Sequence, residues 1–150
     1  MKNKEEKVRF VEFNDEMIWG EIGSVLGSAL GAYISSSALN ESLAPTFSVA
    51  GSIIGNTALY LSSKIYHKIK RKEMSLKNLI TDLEYYTPAA IPISVFIGYP
   101  ALYFATKFLL EKGLNSLYSG AIAAVFAFLI FLILINFYRV IIFHFFRKRF

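Results

Sequence analysis

Glu21 is the one acidic residue that falls inside an apolar stretch of this chain. A carboxyl at membrane depth is costly and marks an ion path or a binding group by default. Yet it follows closely on Trp19, an aromatic residue placed where interfacial anchors belong. It also lies in the first turns of its stretch, where a helix dipole favours an acid. Two roles stand open for it: an interfacial structural acid, or a group that couples to a proton or cation. Around it, Ser24 and Ser28 each follow a glycine. Asn56 and Asn136 lie near the ends of later apolar stretches, where cross-helix hydrogen bonding is the plainer role. Tyr99 and Tyr103 sit deep enough in the third stretch to line a cavity. Arg139 and Lys64 either snorkel to lipid headgroups or hold a lipid phosphate, for which a guanidinium is well shaped. Glu21, Ser24, Ser28, Asn56, Tyr99, Tyr103, Asn136 and Arg139 are the candidate substrate-binding set.

The same inventory disfavours catalysis. No apolar stretch carries a carboxylate pair, a His–Asp set, a nucleophile beside a base, or a zinc-protease motif. The chain reads as non-enzymic. It has no cysteine, so thiolate metal sites and disulfides are excluded. His67 and His144 lack metal-ligand spacing, and no metal or cofactor is expected. The net charge of +5 brackets apolar stretches instead of forming a basic face, which argues against nucleic acid.

Four helices must position these residues. With 55% hydrophobic and 16% aromatic residues in 150, the chain is richer in apolar groups than ordinary soluble domains. Residues 1–16 mix both charges and read as a cytosolic or interfacial lead-in, not a cleavable signal. Val8, Phe10, Val11 and Phe13 suit the membrane surface, and Asn14 or Asp15 is the expected N-cap. The first span runs from about Met17 to Leu39. On it Gly23, Gly27 and Gly31 recur every four residues as one narrow strip. Glycine weakens a helix by about 1 kcal/mol against alanine, so the strip makes sense where close backbone approach returns something, as between helices in lipid. Asn40, Glu41 and Ser42 form a turn, and Pro45 opens the second span, which ends near Tyr66. There Ser48, Gly51, Ser52, Gly55 and Asn56 share one side, so the first two spans form a hairpin packed through small faces.

Residues 67–87 form a basic loop suited to anionic lipids. Within it Leu76, Leu79, Ile80, Leu83 and Tyr86 have the spacing of an amphipathic surface helix. His67 reads as a solvated loop residue. The third span, about Pro88 to Leu110, contains Pro92, Gly98 and Pro100, which predict a kink. The fourth, Leu117 to Tyr138, is small in its first half and bulky in its second, and a basic tail follows. Each stretch meets the ~20 residues that cross a bilayer core. Fourteen of the sixteen Lys and Arg fall on the side of the N-terminus, central loop and C-terminus, which orients that side to the cytoplasm. The expected fold is all-α and integral to the membrane, with four transmembrane helices as two antiparallel hairpins and a kinked third helix.

The two halves look alike, as a weak parallel repeat of the kind that places a site at its interface. Gly23 in the first span, Gly55 and Asn56 in the second, and Asn136, Phe137, Arg139 and Phe143 in the fourth resemble the GtrA-like family of small four-span membrane proteins. That resemblance implies a carrier or translocator of a polyprenyl-phosphate-linked sugar or another amphiphile, acting in the cell membrane as a homo-oligomer or beside a membrane protein partner. The alternative is a non-catalytic subunit or scaffold that docks a larger complex through the glycine seam.

Overall fold

The computed structural model describes residues 2–72, 75 and 91–146, with side chains for 15–72, 75, 91–135, 137 and 138. Among the described residues the chain is helical without strands. Helix α1 covers Lys2–Ile34 and continues as a π-helical turn, Ser35–Leu39. Helix α2 is Ala44–Lys70. Helix α3, Ile91–Glu111, contains a π-helical segment, Ser94–Gly98, ahead of regular α-helix from Tyr99. Helix α4 is Ser116–Phe146.

Three segments are long and apolar enough to cross a membrane: Asp15–Leu39, Ile91–Glu111 and Ser116–Ile135. Helix α2 is not among them; its serines, glycines, Asn56 and lysines lower its hydropathy. The expected lead-in is also revised. Helix α1 begins at Lys2 and does not start from a cap at Asn14 or Asp15. Asp15 is engaged elsewhere, bound to His67 of α2. The proposed amphipathic segment after Ser75 and the basic tail from Arg147 lie outside the described residues.

The turns follow local chemistry. The Asn40 side chain accepts hydrogen bonds from the Ser42 backbone N–H and hydroxyl, both at 2.9 Å, and Pro45 stands in the first turn of α2, where its missing N–H costs nothing. Just past the end of helix α3 stands Gly113, whose φ of 83° is the left-handed conformation that glycine adopts freely. There Leu114 N–H reaches back to Leu109 O at 3.1 Å and Gly113 N–H to Leu110 O at 2.8 Å. Asn115 then caps α4, accepting from Leu117 N–H at 2.9 Å.

Helices α1 and α2 pack antiparallel along the glycines. Gly23 faces Gly55, Gly27 faces Gly51, and Gly31 faces the Phe47 carbonyl; a Cβ on Gly23, Gly27, Gly31, Gly51 or Gly55 would overlap the opposing backbone. Close approach lets side chains bond across. Ser24 and Ser52 hydroxyls lie 2.7 Å apart, and Ser28 and Ser48 2.5 Å apart. Helix α4 joins through Gly120, whose carbonyl accepts from Ser28 at 2.8 Å. Thr106 of α3 donates to Leu102 O at 2.8 Å and lies 3.2 Å from Ser48. Ser28 and Thr106 thus spend their protons on carbonyls. The Ser48 proton goes to Ser28, the nearer oxygen, and all three buried hydroxyls are satisfied.

This interior reverses that of a soluble protein. Ser28, Ser35, Ser48, Thr106 and Ser119 are fully buried, while Leu26, Ile54, Phe96 and Ile133 lie on the outside, with Phe96 78% exposed. Small polar residues between helices and bulky apolar ones outside are what lipid selects. The apolar core is correspondingly slight: Leu102 of α3 against Ala123, Ala124 and Ala127 of α4.

The π segment of α3 falls between Pro92 and Pro100, in the stretch where the sequence predicts a kink. Pro100 has no N–H to offer the carbonyl four residues back. The ladder widens before it, so Tyr99 N–H bonds to Ser94 O, five residues back. Single π turns of this kind recur at functional sites.

Candidate functional site

The four helices line a half-open cavity of about 190 Å³. Helix α1 contributes Glu21 and Ser24, α2 contributes Ser52, Asn56 and Tyr60, and α4 closes the far side with Ala124, Ala127, Phe128 and Phe131. The π segment supplies Ser94, Val95 and Gly98, followed by Tyr99. Each wall has a local cause. Alanines in the first half of α4 keep its backbone near while leaving volume. Gly20 lines the cavity with Asn56 as its neighbour: a Cβ there would meet Asn56 Nδ2 at 3.3 Å. The widened turn of α3 places Ser94, Gly98 and Tyr99 together on one wall.

Glu21 is the chemically distinctive member. Its Oε1 is buried and has no hydrogen-bond partner. A buried acceptor left unmatched costs about 1–3 kcal/mol, more when charged. Such orphans are rare enough in folded proteins to require an explanation. Nearby acids do have partners. Glu16 Oε2 lies 3.5 Å from Lys64 Nζ, with both side chains under a tenth exposed. Lys64 also donates to the Tyr60 hydroxyl at 3.2 Å, which links that pair to the cavity wall. Asp15 Oδ2 lies 2.8 Å from His67 Nε2. Glu21 sits five residues beyond Glu16, about 7.5 Å further along α1, past the reach of this layer of ion pairs.

The sequence-derived candidates divide. Glu21, Ser24, Asn56 and Tyr99 line one cavity. Ser28 does not; it is fully buried and its hydroxyl is spent on Ser48 and Gly120. The glycine at 120 lets α4 close over it. Tyr103 does not either: its ring lies edge-on to Phe104, with centroids 5.5 Å apart, and Leu102 forms the wall at that level. The side chains of Asn136 and Arg139 lie outside the described residues. Two expectations about bases are corrected. Lys64 does not snorkel outward, because Glu16 and Tyr60 hold it inside. His67 belongs to α2, not to a solvated loop, and Asp15 binds it.

Several residues here are not among the sequence-derived site candidates. Glu16 was assigned to the lead-in, yet it is 5% exposed. Tyr60 stands one turn before Lys64, a spacing that brings side chains together. Thr106 is a solitary hydroxyl in an apolar helix, and Phe128 and Phe131 are indistinguishable in sequence from lipid-facing neighbours. No protein-family model, curated protein or solved structure matches the chain.

Proposed function

We propose that this chain is a small, non-enzymic membrane carrier whose central cavity receives the polar end of an amphiphile while the apolar part stays in lipid. The observation that carries this reading is the Glu21 carboxyl, one oxygen of which is buried without a hydrogen-bond partner, on the lining of a cavity with a polar wall. The glycine seam is consumed inside the α1–α2 hairpin, so a docking partner would need another face.

The pairing of α1 with α2 supports four crossings. Helix α2 has 27 residues, about 40 Å at 1.5 Å per residue, and lies against α1 along the seam. A crossing α1 takes α2 across with it. The basic-residue asymmetry then sets both termini on the cytoplasmic side of the cell membrane. About 190 Å³ falls below the ~300–1,000 Å³ of pockets that enclose a drug-sized ligand, so of the polyprenyl-phosphate sugar implied by the GtrA-like resemblance the cavity suits at most the sugar, and not the phosphate.

The test is native mass spectrometry of the full chain extracted from membranes, beside Gly98→Leu. A Cβ at Gly98 meets nothing closer than 3.8 Å, so leucine fills the cavity without clashing at its base. A bound amphiphile present on the wild type and missing from Gly98→Leu is expected, on a monomer or a homo-oligomer. Equal lipid retention by both, or a stable hetero-complex carrying no amphiphile, would overturn the carrier reading.

A further inference from the structure

The cavity carries more information than its existence. Its described lining contains one carboxyl and no Lys or Arg. One oxygen of that carboxyl, Oε1, is buried beside the cavity without a hydrogen-bond partner. Ionised, the Glu21 carboxyl only accepts hydrogen bonds, and a positively charged donor is the guest that would hold it in that form inside the site. A phosphate or carboxylate guest would meet like charge instead.

The other walls narrow the class. Tyr60, Tyr99, Phe128 and Phe131 line the same space, and aromatic faces attract organic cations. Ser24 and Ser52 are bonded to each other at 2.7 Å; two hydroxyls sharing one bond keep one proton and spare lone pairs for a guest. Asn56 offers both an acceptor and a donor. Among the described residues no three metal-binding side chains gather, and the volume far exceeds a bare ion. At about 190 Å³ it is somewhat larger than a ~150 Å³ apolar cavity that takes up benzene. It therefore has room for one ring or short chain together with an ammonium group.

We propose that the cavity beside Glu21 binds an ammonium group attached to a small apolar or aromatic moiety, with the Glu21 carboxylate as its counter-ion. This rests on the carrier reading and names its substrate class. The ammonium has two possible sources, a free amphipathic amine or the ethanolamine head of a lipid.

The experiment uses the full chain in nanodiscs of phosphatidylglycerol, which has no ammonium. Phenethylammonium, the neutral isostere phenylpropanol and phenyl phosphate are titrated, with empty discs subtracted, and binding is followed by Trp19 fluorescence and by equilibrium dialysis. The wild type should bind phenethylammonium on the order of 10–100-fold more tightly than phenylpropanol, the range of a charge-assisted hydrogen bond. Glu21→Gln should erase that preference, and Glu21→Asp should keep part of it. The wild-type comparison needs no variant, so a misfolded Glu21→Gln would not remove the test. Equal binding of the ammonium and the alcohol, or tighter binding of the phosphate, would overturn the cation assignment and leave the cavity standing as a carrier site. Failure of all three to bind would overturn both readings. Adding phosphatidylethanolamine separates the sources: loss of phenethylammonium binding assigns the site to the lipid head, and unchanged binding assigns it to the free amine.

Discussion

Replacing Gly27 with alanine tests the packing that creates the cavity. A Cβ there would overlap the Gly51 carbonyl oxygen, with the carbonyl carbon at 2.7 Å and Gly55 Cα at 3.3 Å. Ordinary carbon contacts begin near 3.4 Å, so α1 and α2 must part by at least about 0.7 Å, and further to clear the oxygen. The hydroxyl contacts Ser24–Ser52 at 2.7 Å and Ser28–Ser48 at 2.5 Å then stretch to or beyond the limit of a good hydrogen bond. Overpacking costs about 1–3 kcal/mol, and each weakened interhelical bond in a membrane about 0.6 kcal/mol. Alanine returns about 1 kcal/mol of helix propensity. The net loss is about 1–3 kcal/mol, a 5- to 150-fold shift in the unfolding equilibrium. Equilibrium unfolding in mixed detergent micelles, followed by circular dichroism, measures it. The internal control is Gly98→Ala, where a Cβ meets only Ile93 O at 3.8 Å, and which should be neutral or slightly stabilising. If Gly27→Ala and Gly98→Ala unfold at the same detergent fraction, the helices do not meet along this strip and the cavity loses its frame.

Other perturbations probe the remaining parts. Gly120→Ala places a Cβ 2.6 Å from the Ser28 carbonyl oxygen and 3.1 Å from Ala29 Cα; it should loosen α4 from α1, seen as faster hydrogen exchange at both helices with little change at the α1–α2 seam. Lys64→Met removes one cation from the buried Glu16 and should lower stability, while the double variant with Glu16→Gln should recover part of the loss; a double variant as unstable as the single would show that the pair does not interact. Pro100→Ala restores an N–H and should return the π segment to regular helix, abolishing amphiphile retention with expression unchanged; full retention would separate the kink from the site. Single cysteines at Glu41 and Leu114 should react with an impermeant maleimide from outside whole cells, and cysteines at Lys4, Lys72 and Lys148 should not; labelling at Lys72 would break the four-crossing arrangement.

The sequence by itself determined the helical, membrane-compatible character of the chain, because apolar runs of span length between polar turns have few other solutions. It also determined the α1–α2 pairing. Glycines every four residues on one helix and Gly51 and Gly55 on the next are costly in isolation and return stability only by close approach. The interruption of α3 was legible for a similar reason: Pro100 removes a hydrogen bond whatever surrounds it. Tertiary structure alone decided which polar groups line the cavity. Ser24 and Ser28 are equivalent in sequence, yet one lines the cavity and the other is spent on Gly120, because α4 approaches at one level and not the other. Glu16 and Glu21 differ only in position, yet Glu16 faces Lys64 while Glu21 Oε1 faces no donor. Periodicity fixes the face of a helix on which a residue lies. It does not fix which neighbouring helix meets that face, or how closely, and that distance separates a hydrogen-bonded seam from an open site.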